Sequence, residues 1–261
     1  MATLNFDGVD DWMEMGTLTA ALGALNTGGL TMACLCRRNA LSGGAIHRYT
    51  FGITNSARTG ICHMGHRLSD VHRYTQTGLA GSTATQTNTT DWFIEVVTHA
   101  AGTTTPRFHW TNITTLGAGG AWTRENSTGG AIAHDAGMGT TGFVQLGRNR
   151  TSEFEDYEIG LVGAWDIAMS DSEVSELNAN LKTSNWHLHS LGTPETLIEC
   201  TSLTPSCIEG GCVFSSLTGA LLNGGDPDGW NFDNTGFVQP DAGAVRPGLF
   251  DRHLVPQGWW G

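Results

Sequence analysis

Short runs of alternating apolar and polar residues dominate the chain. Clusters of Gly, Thr, Asn and Ser separate them at the spacing of a sandwich or barrel. Residues 3–15 alternate around the Asp7-Gly8 turn signal, which predicts a hairpin of Thr-Leu-Asn-Phe and Val-Asp-Asp-Trp-Met-Glu-Met. Leu30-Thr-Met-Ala-Cys-Leu-Cys-Arg37 predicts a strand that points Cys34 and Cys36 to one face, where free thiols pack as small hydrophobes. Enrichment in β-branched and aromatic residues predicts further strands at 46–53, 59–64, 71–76, 92–99, 106–112 and 143–148. The Gly/Thr-rich stretches 77–90 and 115–142 read as long surface loops or flat edge hairpins. One segment breaks the two-residue period. Ser170-Asp-Ser-Glu173 is a capping box, Met169 and Val174 occupy staple positions, and Val174, Leu177 and Leu181 share a face. These predict one short helix, about 170–181, docked on a sheet.

Strand character returns over 196–239, through Leu197-Ile-Glu-Cys200 and Cys212-Val-Phe214. Leu4-Asn-Phe-Asp7 is echoed by Trp230-Asn-Phe-Asp233, as expected if the first and last strands are neighbours in one sheet. The chain thus divides into one domain over 1–239 and an arm over 240–261. The arm carries Pro240, Pro247 and Pro256 among Leu249, Phe250, Leu254, Trp259 and Trp260. A Pro-interrupted aromatic segment cannot be a central strand but has the apolar area to dock on a neighbouring subunit.

Composition narrows the partners. With 261 residues, 39% apolar and 15% charged, the chain has material for a core and is not of disordered type. Thirteen basic against 25 acidic residues give a net charge of −12 with no basic cluster, which argues against nucleic acid. No apolar run reaches the roughly 18 to 20 residues of a membrane span. The start, Met1-Ala-Thr-Leu-Asn-Phe-Asp7, lacks the basic and apolar regions of a signal peptide, so synthesis without export is expected. Lys182 stands alone against twelve arginines, the bias of a GC-rich coding genome.

Candidate chemistry is sparse. Reduced thiols are the expected state of the six cysteines; Cys207 and Cys212 flank Ile-Glu-Gly-Gly, where hairpin closure would permit a disulfide. Cys62-His63-Met64-Gly65-His66 has no second ligand pair at zinc-finger spacing, so zinc is not expected. His63, His66 and His72, beside Arg67 and Arg73, read as the polar surface of a strand pair, with an anion site as the other reading. Asp226-Pro-Asp228-Gly229-Trp-Asn-Phe-Asp233 places Asp226, Asp228 and Asp233 around a glycine turn. That is either a structural calcium site or a run of ordinary turn dipeptides, and no other cofactor is expected. Trp122-Thr-Arg124-Glu125-Asn126 lies in a glycine-rich stretch. Trp122 either stacks on a sugar that Arg124, Glu125 and Asn126 orient, or folds back over the core.

Several segments, taken in order, carry a resemblance: Leu4-Asn-Phe-Asp-Gly-Val-Asp-Asp-Trp12, Leu30 to Arg37, Trp92-Phe-Ile-Glu-Val-Val-Thr98, Arg107-Phe-His-Trp-Thr-Asn112 and Phe143-Val-Gln-Leu-Gly-Arg148. The longest is Asp156-Tyr-Glu-Ile-Gly-Leu-Val-Gly-Ala-Trp165 with the capped helix after it. Together they resemble a laminin-G-like jelly roll of the concanavalin A-like lectin/glucanase superfamily. Ile113 stands where that family usually has glycine, and Gly160 where it often has aspartate. The resemblance implies an all-β, two-sheet antiparallel jelly-roll sandwich. That superfamily holds lectins, glycan hydrolases and structural modules, so the fold leaves the function open. Glu153-Phe-Glu155-Asp-Tyr-Glu158 superficially resembles the Glu-x-Asp-x-x-Glu strand of family 16 glycan hydrolases, with Glu155 in place of the middle Asp. A solvated strand edge explains these acids, and no enzymatic activity is expected. Single domains of this type are familiar on bacteriophage heads and tails. The resemblance therefore implies a virion surface protein, a head decoration or minor tail protein assembled in the host cytoplasm. Its partners would be other virion proteins and copies of itself, with host-surface glycans as a second ligand. The alternative is an extracellular lectin module.

Overall fold

The computed structural model describes residues 4–7, 13–16, 29–38, 48–54, 62–67, 71–76, 79–86, 90–115, 118–119, 121–129, 131–132, 143–149, 153–154, 156–180, 190, 196–200, 212–214 and 221–224. In chain order these form β1 (Leu4–Asp7), β2 (Met13–Gly16), β3 (Leu30–Arg38), β4 (Arg48–Thr54), β5 (Cys62–Arg67), β6 (Val71–Gln76) and β7 (Leu79–Gln86). There follow β8 (Phe93–His99), β9 (Arg107–Thr115), β10 (Ala118–Gly119), β11 (Thr123–Asn126), β12 (Thr128–Gly129), β13 (Phe143–Leu146) and β14 (Arg148–Asn149). The remainder are β15 (Glu153–Phe154), β16 (Asp156–Trp165), helix α1 (Asp171–Asn180), β17 (Thr196–Cys200), β18 (Cys212–Phe214) and β19 (Leu221–Gly224).

Among the described residues, two antiparallel sheets make an all-β sandwich, joined by a two-stranded ribbon of β14 and β15 and one short helix. One sheet runs β10-β9-β8-β3-β16-β17-β18, with β1 also on β16 and β11 also on β9; the other runs β12-β7-β6-β5-β4-β13-β2-β19. Alternation sets the interior. Met32, Cys34 and Cys36 of β3 and Phe93 and Val97 of β8 share a buried cluster with Phe51, Ile53, Cys62, Met64 and Tyr74 of the facing sheet. The intervening residues Ala33, Leu35, Ile94 and Val96 form a second cluster with Val174 and Leu177 of α1, under the partly buried Trp92 and Trp122. The central strands are therefore covered on both faces, which explains why Leu30–Arg37 reads as a nearly continuous apolar run.

Gly160 corrects the phase of β16. Ile159 pairs with Cys36 and Leu161 with Leu35, so Gly160 is the extra residue of a bulge. Before it Tyr157 and Ile159 join the inter-sheet cluster; beyond it Val162 and Ala164 do, while Leu161 and Trp165 turn to the helix side. At Ile113, the other departure from the family pattern, the strand does not turn. Ile113 is buried against the helix-side cluster, its N–H donates to the Trp92 carbonyl at 2.7 Å, and β9 runs on to Thr115.

The helix forms where the local chemistry dictates. Ser170 N–H donates to Glu173 Oε2 at 2.6 Å, and Glu173 N–H to Ser170 Oγ at 3.4 Å. Met169 and Val174 are both buried, as a staple requires. Among the described residues no helix is long and apolar enough to cross a membrane.

One sequence expectation changes. The predicted hairpin over residues 3–15 does not form: β1 pairs with β16, from Leu4 opposite Ile159 to Asp7 opposite Asp156, whereas β2 pairs with β13 and β19 in the other sheet. Alternation gave each run its strand character but not its neighbour. The stretches 77–90 and 115–142 follow the edge-hairpin reading where they are described: β7 closes a hairpin on β6, and β10, β11 and β12 pair on β9 and β7. Cys212 is the register partner of Cys200, while Cys207 lies outside the described residues. So do 230–233, the calcium candidates Asp226, Asp228 and Asp233, and the arm residues Leu249, Phe250, Leu254, Trp259 and Trp260.

Gly29, just before β3, has φ 101°, and a Cβ there would stand 2.8 Å from the His99 carbonyl oxygen. Gly29→Ala is expected to lower stability by about 2 kcal/mol, seen as a lower urea midpoint at unchanged slope.

Candidate functional site

Three ionisable side chains converge between the sheets. In β5 the inward positions are Cys62, Met64 and His66; in β6 they are His72, Tyr74 and Gln76. His66 and His72 are register partners, so both imidazoles emerge at one level of the same sheet. Glu95 of β8 meets them from the opposite sheet. Its Oε2 lies 2.9 Å from His72 Nδ1 and 3.4 Å from His66 Nε2. All three residues are at most 2% exposed.

Further contacts hold these groups in place. The hydroxyl of Tyr157 hydrogen-bonds with His66 Nδ1. Thr50 Oγ1 donates to the other carboxylate oxygen, Oε1, at 3.3 Å. Thr50 is the extra residue where the β4–β5 register slips between Tyr49 and Phe51. His72 N–H donates to Thr83 Oγ1 at 3.1 Å. The walls are aromatic: Trp110 lies 4.6 Å from the His72 ring, and Phe93 stands edge-on to His66 at 5.7 Å. Behind Phe93 sits the buried guanidinium of Arg38, 5.7 Å from the ring centroid.

Burial pushes the His66 pKa well below its usual value, and the nearby charges of His72 and Arg38 add to the effect. Its imidazole is therefore neutral near pH 7 and keeps a nitrogen lone pair. Burial likewise raises the Cys36 thiol, with a hydrogen bond from Cys34 next in importance, so it stays protonated.

The sequence reading of His63, His66 and His72 as a polar surface is thus corrected: all three are buried. For His66 and His72 the cause is inward parity, since β5 and β6 lie inside their sheet and the other sheet covers that face. His63 is on the opposite face of β5, its ring 5.3 Å from Tyr49 and filling the space above Gly52.

Arg124, Glu125 and Asn126 lie in β11, a strand on β9 that begins directly after Trp122, with Thr123 opposite Trp110 and Asn126 opposite Arg107. Trp122 packs partly buried against the helix-side core, the second of its two readings. Arg124 donates to the Asp171 carbonyl at 3.0 Å and to Ser175 Oγ at 2.6 Å, fastening α1 to the sheet. Glu125 accepts hydrogen bonds from the N–H groups of Ala84 and Thr85. Asn126 is exposed. Among the three hydrolase-like acids, Glu158 is ion-paired with Arg37, Glu153 lies on β15, and Glu155 is outside the described residues.

No family model matches the chain, and no curated protein matches it. Solved structures similar to it include the heptameric SAP-like pentraxin of Limulus polyphemus, at 9% identity over 84% of this chain and 97% of that one, with a TM-score of 0.47. A second is a protein from Bacteroides ovatus described as carbohydrate-binding, at 13% identity over 84% of this chain and 52% of that one, with a TM-score of 0.44. A third is the enzymatically active domain of tailspike protein 2 of bacteriophage CBA120, at 17% identity over 69% of this chain and 31% of that one, with a TM-score of 0.41.

Proposed function

We propose that the chain is a non-catalytic surface component of a virion, on a head or tail, that docks on neighbouring subunits and contacts host-surface glycans as a second task. The observation that carries this reading is the doubly covered sheet: β3, β8 and β16 are buried by the facing sheet on one side and lie against α1 and its tryptophans on the other. A scaffold filled in this way leaves its edges and connecting segments as contact surfaces. The ordered laminin-G-like motifs support the same reading, and the net charge of −12 makes polyanions poor partners. In this reading the arm over 240–261 reaches an adjoining subunit through its aromatic residues.

The test is deletion of 240–261, with the copies incorporated into purified particles counted by mass spectrometry. Loss of aromatic anchors costs about 2 kcal/mol or more, so incorporation should fall by over roughly tenfold while the thermal melt of the sandwich is kept. Unchanged incorporation, or a full-length chain absent from particles, overturns the proposal. A lectin module would instead keep its glycan-array profile after the deletion.

A further inference from the structure

We propose that His66, His72 and Glu95 form a buried site for one divalent transition-metal ion of the zinc class, which clamps the two sheets together. The donor set is two imidazole nitrogens and one carboxylate oxygen, with the three donor atoms all within 4.8 Å of one another. That chemistry suits zinc, whereas calcium and magnesium require six or more oxygen ligands in all. The spacing fits as well. Metal–ligand bonds of about 2.0–2.1 Å put the corners of a tetrahedron about 3.3 Å apart. The separations of 3.4 Å and 2.9 Å to Glu95 Oε2 lie on either side of that value.

Two further features favour an ion over a simple hydrogen-bonded core. His66 Nε2 is buried and makes no hydrogen bond among the described residues, although it faces the carboxylate; a metal gives that lone pair a partner. The atoms pointing away from the centre are held as metal ligands generally are, His66 Nδ1 by the Tyr157 hydroxyl and Glu95 Oε1 by Thr50. The site takes two ligands from one sheet and one from the other, so an ion bound there couples layers that otherwise meet mainly through apolar contact.

The experiment uses the untagged full-length chain, because an oligohistidine tag would itself bind zinc. Metal content is measured by plasma mass spectrometry, and chelator-stripped protein is titrated with Zn²⁺, Mg²⁺ and Ca²⁺ while the melting temperature is followed. About one zinc per chain is expected, with a rise of roughly 10 °C at saturating zinc and none with the other two ions. His72→Gln and Glu95→Gln should each remove more than half of the zinc-induced rise. A stripped wild-type chain whose melting temperature ignores zinc overturns the proposal and leaves a proton-sharing His–Glu–His network. A zinc response that survives both substitutions overturns the assignment to these residues. Should either variant fail to fold, the wild-type titration decides alone.

Discussion

Phe93→Ala is expected to destabilise the fold by about 4 kcal/mol, the range in which a fully buried phenylalanine leaves a cavity. Phe93 is 0% exposed, pairs with Cys36 on β3 and Asn112 on β9, and so stands at the junction of the strands that carry both hydrophobic clusters. Its ring also stands edge-on to His66 and lies beside the Arg38 guanidinium. Removal therefore costs dispersion contacts and leaves a buried cation facing a void. The urea midpoint should fall sharply at constant slope. The exposed Asn126→Ala should change stability by no more than about 0.5 kcal/mol. A Phe93→Ala loss below about 1 kcal/mol would mean that β8 is not central to the core.

Acid is expected to weaken the protein, and His109 is one contributor. Its side chain is buried beneath Asp171, and its Nε2 hydrogen-bonds with Thr98 Oγ1 at 3.1 Å. Burial lowers its pKa to about 4; Arg107 and Arg124 add to this, and Asp171 opposes it. The unfolded chain, with a histidine pKa near 6.5, therefore binds the proton more readily than the folded one. The resulting stability is fully present above pH 6.5, shrinks as pH falls, and is gone once pH passes about 4. The difference amounts to roughly 3 kcal/mol. His66, lowered in the same direction, adds to the loss. Urea midpoints taken between pH 7 and 4 should fall steadily, and His109→Gln should flatten that slope. An unchanged slope in the variant would remove His109 from the account.

Much of the fold was legible because its signals are local. The capping box at Ser170 and Glu173 acts over three residues, and the apolar run from Leu30 states its own burial. The strand over 71–76 appears with the expected bounds because its alternation is clean. Partner choice was not legible. Residues 3–15 show alternation and a turn dipeptide, yet β1 and β2 find their ladders more than a hundred residues away. The His66–His72–Glu95 cluster was missed for a related reason. Its members look polar, and only the phase set by Cys62 and Met64, continued to His66 and matched by Tyr74 with His72, shows that they point inward. Glu95 gave no signal of its own in Trp92-Phe-Ile-Glu-Val-Val. Trp122 was legible only as a pair of alternatives, because its flanking glycines hid the ladder with β9.

The separation of β1 and β2 also bears on how the molecule is made. At about 5–20 residues per second, the ribosome finishes β2 roughly 10–40 s before β19 is translated. Until β13 and β16 follow, both amino-terminal strands expose unpaired backbone edges, and β2 keeps one open until β19. Two nascent chains on one polysome would then compete for the same ladders, so slow translation or a crowded messenger favours exchange of the first strands between copies.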